Sequence, residues 1–115
     1  MALQQIAHAD DDMQACIDNC LEAAQVCEWC VDGCAGEGEE RARCIRLCRD
    51  VADIATLHAR FMARNSGYHE ELASLCAALC EECTEECQQH DDDHCQACAE
   101  VLPKCAESCR EMATA

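Results

Sequence analysis

Fifteen cysteines occupy this 115-residue chain: Cys16, Cys20, Cys27, Cys30, Cys34, Cys44, Cys48, Cys76, Cys80, Cys83, Cys87, Cys95, Cys98, Cys105 and Cys109. Within each cluster they are three, four or seven residues apart, the spacings that stack side chains on one face of an α-helix. Paired as C-x2-C or C-x3-C on a helix, two such residues have Cβ atoms about 5–6 Å apart. A disulfide needs about 3.8 Å, so the pairs are poorly placed to oxidise and well placed to hold a metal ion between them. Soft thiolates select Cu(I), with zinc and iron–sulfur clusters as competitors. Cu(I) accepts two or three sulfurs and lets neighbouring ions share them. Zinc wants four ligands in a tetrahedron; one helix cannot supply four, so zinc requires cysteines from facing helices at matched heights. The expected function is storage or sequestration of multiple Cu(I) ions. The alternatives are a zinc or iron–sulfur binding module and a metal-free, thiol-rich structural protein.

Four helices must carry these thiols. Glycines and short polar breaks bound segments at about 4–34, 39–65, 68–89 and 94–113. The connections are short, so successive helices run antiparallel. The expected fold is all-α, an up-down-up-down four-helix bundle with a Cys-lined core, in one domain over residues 1–115. The first stripe begins Ile6, Ala9, Met13, Cys16; the second runs Cys44, Cys48, Val51, Ala55, His58, Met62. The third starts at His69 and Ala73 and reaches His90 through its four cysteines; the fourth has Leu102 among its own. These are the inward positions of a bundle. Flanking hydrophobes such as Leu21, Leu57 and Leu75 seal the seams, and any surplus serves a subunit interface. Pro103 lies inside the fourth segment, where it is expected to kink the helix.

Antiparallel topology gathers Met13, His58, Met62, His69 and Met112 at one end. Thioether and imidazole are weaker, exchangeable soft ligands, and a mouth lined by them suits entry of Cu(I). At the other end His90 and His94 flank three aspartates and read as solvated linker. His8 reads as surface, and the acidic runs as solvated faces.

Composition excludes several function classes. The formal charge is -16, which repels nucleic acid. No apolar run is long enough to span a bilayer. The odd cysteine count and helical spacing oppose a secreted disulfide scaffold. The start MALQQIAHADDD has neither a basic segment nor an apolar run, so a cytoplasmic, reducing location is expected. An enzyme needs an open coordination site beside a placed acid or base, and no such constellation is present, so no catalytic residue is assigned.

With cysteine stripes at 16–34, 44–48, 76–87 and 95–109 on four helices, the chain resembles the copper storage proteins, cysteine-rich four-helix-bundle Cu(I) binders. The resemblance implies a bundle folded before metal arrives, all fifteen cysteines as ligands, Met and His as entry ligands at one mouth, and a homotetramer of the cytosolic type. Copper ions are the expected partners, delivered by a copper chaperone or a small-thiol donor. Val51, Ala55 and Leu102 depart from the pattern, leaving the cysteine row thinner toward the Met-lined end.

Overall fold

A computed structural model describes residues 5–114. Four helices run Asp11–Cys34 (α1), Ala42–Ala63 (α2), His69–Cys87 (α3) and Asp93–Thr114 (α4), and a 3-10 turn at Glu39–Arg41 leads into α2. No strand occurs among the described residues. Helix α1 packs against α2 and α4, and α3 packs against the same two, so the four helices close a ring around one core.

The ends of the helices follow local chemistry. Asp10 caps α1, its Oδ1 accepting from the Met13 amide at 2.8 Å, and Asp11 and Asp12 lie in the first turn, where negative charge favours the helix dipole. The helix therefore begins at Asp11 and not at residue 4; Ile6 and Ala9 precede it, although Ala9 is buried and Ile6 packs against the core. Residues 1–4 of that expected segment lie outside the described residues. After α1 the chain turns through Gly36 and Gly38, both at positive φ (+88° and +86°), a region that strains other side chains. Beyond the end of α2, Asn65 takes φ 57° and the Ser66 amide reaches back to the Phe61 carbonyl at 2.9 Å, a left-handed C-terminal cap. Helix α3 is shorter than expected at both ends, and His90 lies beyond it. Pro103 does not break α4, which continues to Thr114.

Every cysteine is buried, none more than 1% exposed, and all are free thiols. Small side chains share their layer: Ala23, Ala55, Ala73 and Ala77 are fully buried. Bulky aliphatics are few inside and several stay outside; Leu21 and Leu75 are about half exposed, as is Trp29. Sulfur thus takes the place that leucine and phenylalanine hold in an ordinary bundle.

Candidate metal centre

The stripes converge as their periodicity requires. Thiols on different helices meet at Sγ–Sγ distances of 3.8 Å for Cys30–Cys44, 3.8 Å for Cys44–Cys87, 3.6 Å for Cys48–Cys83 and 3.7 Å for Cys20–Cys105. Pairs four apart on one helix also close, at 3.9 Å for Cys30–Cys34, Cys83–Cys87 and Cys105–Cys109. None is a bonded distance and all suit sulfurs that share an ion.

The contacts resolve into two assemblies. One joins Cys30, Cys34, Cys44, Cys48, Cys87 and Cys95 with Cys27, Cys98 and Cys83, through groups that share Cys30 and Cys48. The other joins Cys16, Cys20, Cys76, Cys105 and Cys109 through Cys20 and Cys109, and Cys80 interacts with its members Cys76 and Cys105. Along the stripes Ala23, Val51 and Leu102 stand between them, all fully buried. The thiol row is thinner toward the Met-lined end, as expected: α2 carries no cysteine beyond Cys48, whereas α1 and α4 resume theirs past Ala23 and Leu102 and α3 is uninterrupted between Cys80 and Cys83.

An imidazole stands at the outer edge of each assembly. His58 is fully buried, with Nδ1 3.5 Å from Cys20 Sγ and 3.6 Å from Cys109 Sγ. Its Nε2 is buried without a hydrogen-bond partner, as is Nδ1 of His69, whose ring stacks on that of His58 at 6.5 Å between centroids. Met62 and Met112 are buried at the same end, and Met13, His69 and Met112 line a small surface cavity with His8 and Asp10. The five residues expected to form a mouth are therefore together. His8 is exposed and reaches the Met62 carbonyl at 2.9 Å.

The opposite end differs from expectation. His94 is no solvated linker residue: its Nδ1 lies 3.5 Å from both Cys30 Sγ and Cys95 Sγ and 3.8 Å from Cys34 Sγ. A Cβ at Gly33 would collide with the His94 ring, with Nε2 at 2.6 Å and Cγ at 2.7 Å, so the absent side chain makes the recess in which the imidazole sits. Trp29 meets the ring edge-on, 6.1 Å between centroids. His90 is also engaged, 2.8 Å from Glu86 Oε2. Glu86 is buried and accepts from Arg43 Nε at 3.2 Å, while Asp92 accepts from Arg41 Nε at 3.0 Å. Glu86 is therefore withdrawn from solvent, while Asp92 is only partly so. The signal available in the sequence was a histidine immediately preceding Cys95.

Packing thiols together polarises them. Neighbouring thiols that donate hydrogen bonds hold a few sulfurs well below the ordinary value of 9.0: Cys76, through Cys105 and Cys109, and Cys87, through Cys30 and Cys44. Cys105 is lowered to about 6 by Cys109 and Cys20. The donors move the other way, Cys20 and Cys98 among them. Cys95 is pushed up to about 11, chiefly by burial. Most of the core is therefore protonated at neutral pH, and an arriving cation displaces protons.

Comparison with known proteins follows the same lines. The family model described as copper storage protein matches residues 9–114. A cysteine-rich protein of Bacillus subtilis (strain 168), YhjQ, described as uncharacterized, is 43% identical over 102 residues, covering 87% of this chain and 94% of its own length. The solved structure of apo-Csp3, copper storage protein 3 of Bacillus subtilis, superposes with a TM-score of 0.81 at 44% identity over 86% of this chain and 96% of that one. A cytosolic copper storage protein from Streptomyces lividans, solved during copper loading with five coppers, gives a TM-score of 0.85 at 34% identity over 91% of this chain and 94% of that one.

Proposed function

The chain belongs to the copper storage protein family, and on that premise we propose that it takes up and holds multiple Cu(I) ions in the cytoplasm. One observation carries this reading: fifteen free, buried thiols lie in two assemblies of helix-bridging contacts. Each ion finds two or three sulfurs within reach, and neighbouring ions share them. A cytosolic relative solved with several coppers supports the same assignment.

All fifteen cysteines act as ligands in this reading. Met13, His58, Met62, His69 and Met112 receive the ion at the mouth, from a copper chaperone or a small-thiol donor, and His58 passes it to Cys20 and Cys109. Thiolates saturate the bound ion and leave no open coordination position, so the role is storage and not catalysis. The half-exposed Leu21, Trp29 and Leu75 supply apolar surface for a homotetramer of this single domain. Native mass spectrometry of the Cu(I)-loaded chain tests both parts: a tetramer with several ions per subunit is expected, and a monomer that sheds its copper would overturn them.

A further inference from the structure

We propose that Cys30, Cys34, Cys95 and His94 form a preorganised zinc site at the acidic-linker end of the bundle. Among the groups of facing ligands, this one has all six ligand–ligand distances in a tetrahedral range. The three Sγ–Sγ edges are 3.9 Å (Cys30–Cys34), 3.7 Å (Cys30–Cys95) and 3.9 Å (Cys34–Cys95). The three edges from His94 Nδ1 are 3.5, 3.5 and 3.8 Å. A tetrahedral zinc ion with Zn–S near 2.3 Å and Zn–N near 2.05 Å requires edges of about 3.8 Å between sulfurs and about 3.6 Å from sulfur to nitrogen. The protein edges match these within about 0.3 Å, so zinc can be bound with little rearrangement.

The surroundings are those of a zinc site. Two ligands come from the last turns of α1 and two from the first turn of α4, which solves the problem that one helix cannot supply four. The imidazole is held by the recess over Gly33 and by the Trp29 edge. On the far side of the ring, Nε2 lies 4.0 Å from Asp92 Oδ2, beyond hydrogen-bond distance but with the carboxylate on the side away from Nδ1, the nitrogen that faces the sulfurs. Arg41 pairs with the same carboxylate and places a cation beside a centre that carries one net negative charge once three thiolates and one zinc ion are counted. Occupied, the site pins the end of α1 to the start of α4, and it uses Cys30, which the deeper group Cys30, Cys44, Cys48 and Cys87 also contains. Zinc and Cu(I) therefore compete for the three sulfurs at this end.

The proposal is independent of Cu(I) storage; zinc titration and copper titration can fail separately. Zn(II) is titrated anaerobically into the reduced, full-length, metal-free chain against a chromophoric chelator. One equivalent per chain is expected to be held tightly. His94→Ala and Cys34→Ser should each weaken it by more than about tenfold, the loss that even outer partners of metal ligands cause, while His90→Gln leaves it unchanged. No tightly held equivalent, several equivalents of equal strength, or variants that bind as the parent does would overturn the proposal. Should either ligand variant fail to fold by circular dichroism, X-ray absorption of the zinc-bound parent decides. Three sulfurs and one nitrogen are expected; a four-sulfur shell, which would place the ion deeper, or an oxygen-rich shell would contradict the assignment.

Discussion

Cys48 Sγ on α2 stands 3.6 Å from Cys83 Sγ on α3, a thiol pair that bridges two helices inside the core. Both residues are fully buried. The pair belongs to a lattice in which a sulfur meets partners on its own helix and on the next, and this makes the core a ligand array with no fixed number of sites. Replacing both by serine removes two soft ligands and keeps the volume nearly constant. Cys48→Ser/Cys83→Ser should lower Cu(I) capacity by roughly one or two ions, since a bridged ion uses one or two thiols, and leave the helical circular dichroism intact. Loss of fold would instead assign these thiols a structural role.

Leu102 belongs to the layer between the two sulfur assemblies and is fully buried. It is among the few large aliphatic side chains in the core, so its truncation opens a cavity that the surrounding sulfurs fill poorly. Leu102→Ala should cost about 2–5 kcal/mol of stability in the metal-free chain, read from urea unfolding. Metal bound to thiols on facing helices stabilises only the folded state, so the deficit should shrink on Cu(I) loading.

Gly33 lies in a helix, where alanine ordinarily stabilises by about 0.5–1 kcal/mol. Here the opposite is expected, because the added Cβ would occupy the space of the His94 ring. Gly33→Ala should destabilise by about 1–3 kcal/mol, the usual range for overpacking, and should expel the imidazole from Cys30 and Cys34. Nuclear magnetic resonance of the His94 ring, together with thermal unfolding, checks both.

The pH dependence of the metal-free chain follows from the thiols. Cys95 is raised from 9.0 to about 11, chiefly by burial, and Cys80 and Cys98 are raised through their contacts with other thiols. As pH rises past 9.0 the unfolded chain releases these protons first and binds fewer than the folded chain. Stability contributed by these groups is therefore complete below pH 9 and is lost as pH climbs toward 11 and beyond. Thiols shifted downward, such as Cys105 at about 6, add stability as pH rises from 6 to 9 and add no more beyond it, so they do not offset the loss there. Denaturant midpoints measured from pH 9 to 11 should fall. Cu(I) uptake obeys the opposite requirement: each bound thiol must shed its proton, so affinity weakens as pH falls.

Much of this was legible in the sequence because register is a strong signal. Steps of three and four put all fifteen cysteines on inward faces, and each is buried where that spacing requires. The short connections implied the antiparallel ring and brought His58 and Met62 to the same end as Met13 and Met112. What escaped depended on contacts between elements. His94 reads as linker because it adjoins an acidic run and lies one residue off its stripe; its place beside Cys30 and Cys34 depends on the missing side chain of Gly33, which lies far away in sequence. Glu86 and Asp92 read as solvent-facing acids until Arg43, His90 and Arg41 are placed next to them. The start of α1 was misplaced because Ile6 and Ala9 continue the apolar period, whereas Asp10 stops the helix by capping it. The thinning of the thiol row toward the Met-lined end was visible in Val51, Ala55 and Leu102, but the separate assembly at that end became clear only when Cys16, Cys20 and Cys109 closed around His58.

The number of Cu(I) ions held per chain tests the central claim most directly. Anaerobic titration of the reduced, metal-free chain with Cu(I), against a chelator of known affinity, should fill roughly seven or more sites, because fifteen thiols shared at about one or two per ion allow that many. Uptake that stops at one or two weakly held ions, or at about four thiols per ion, would contradict it.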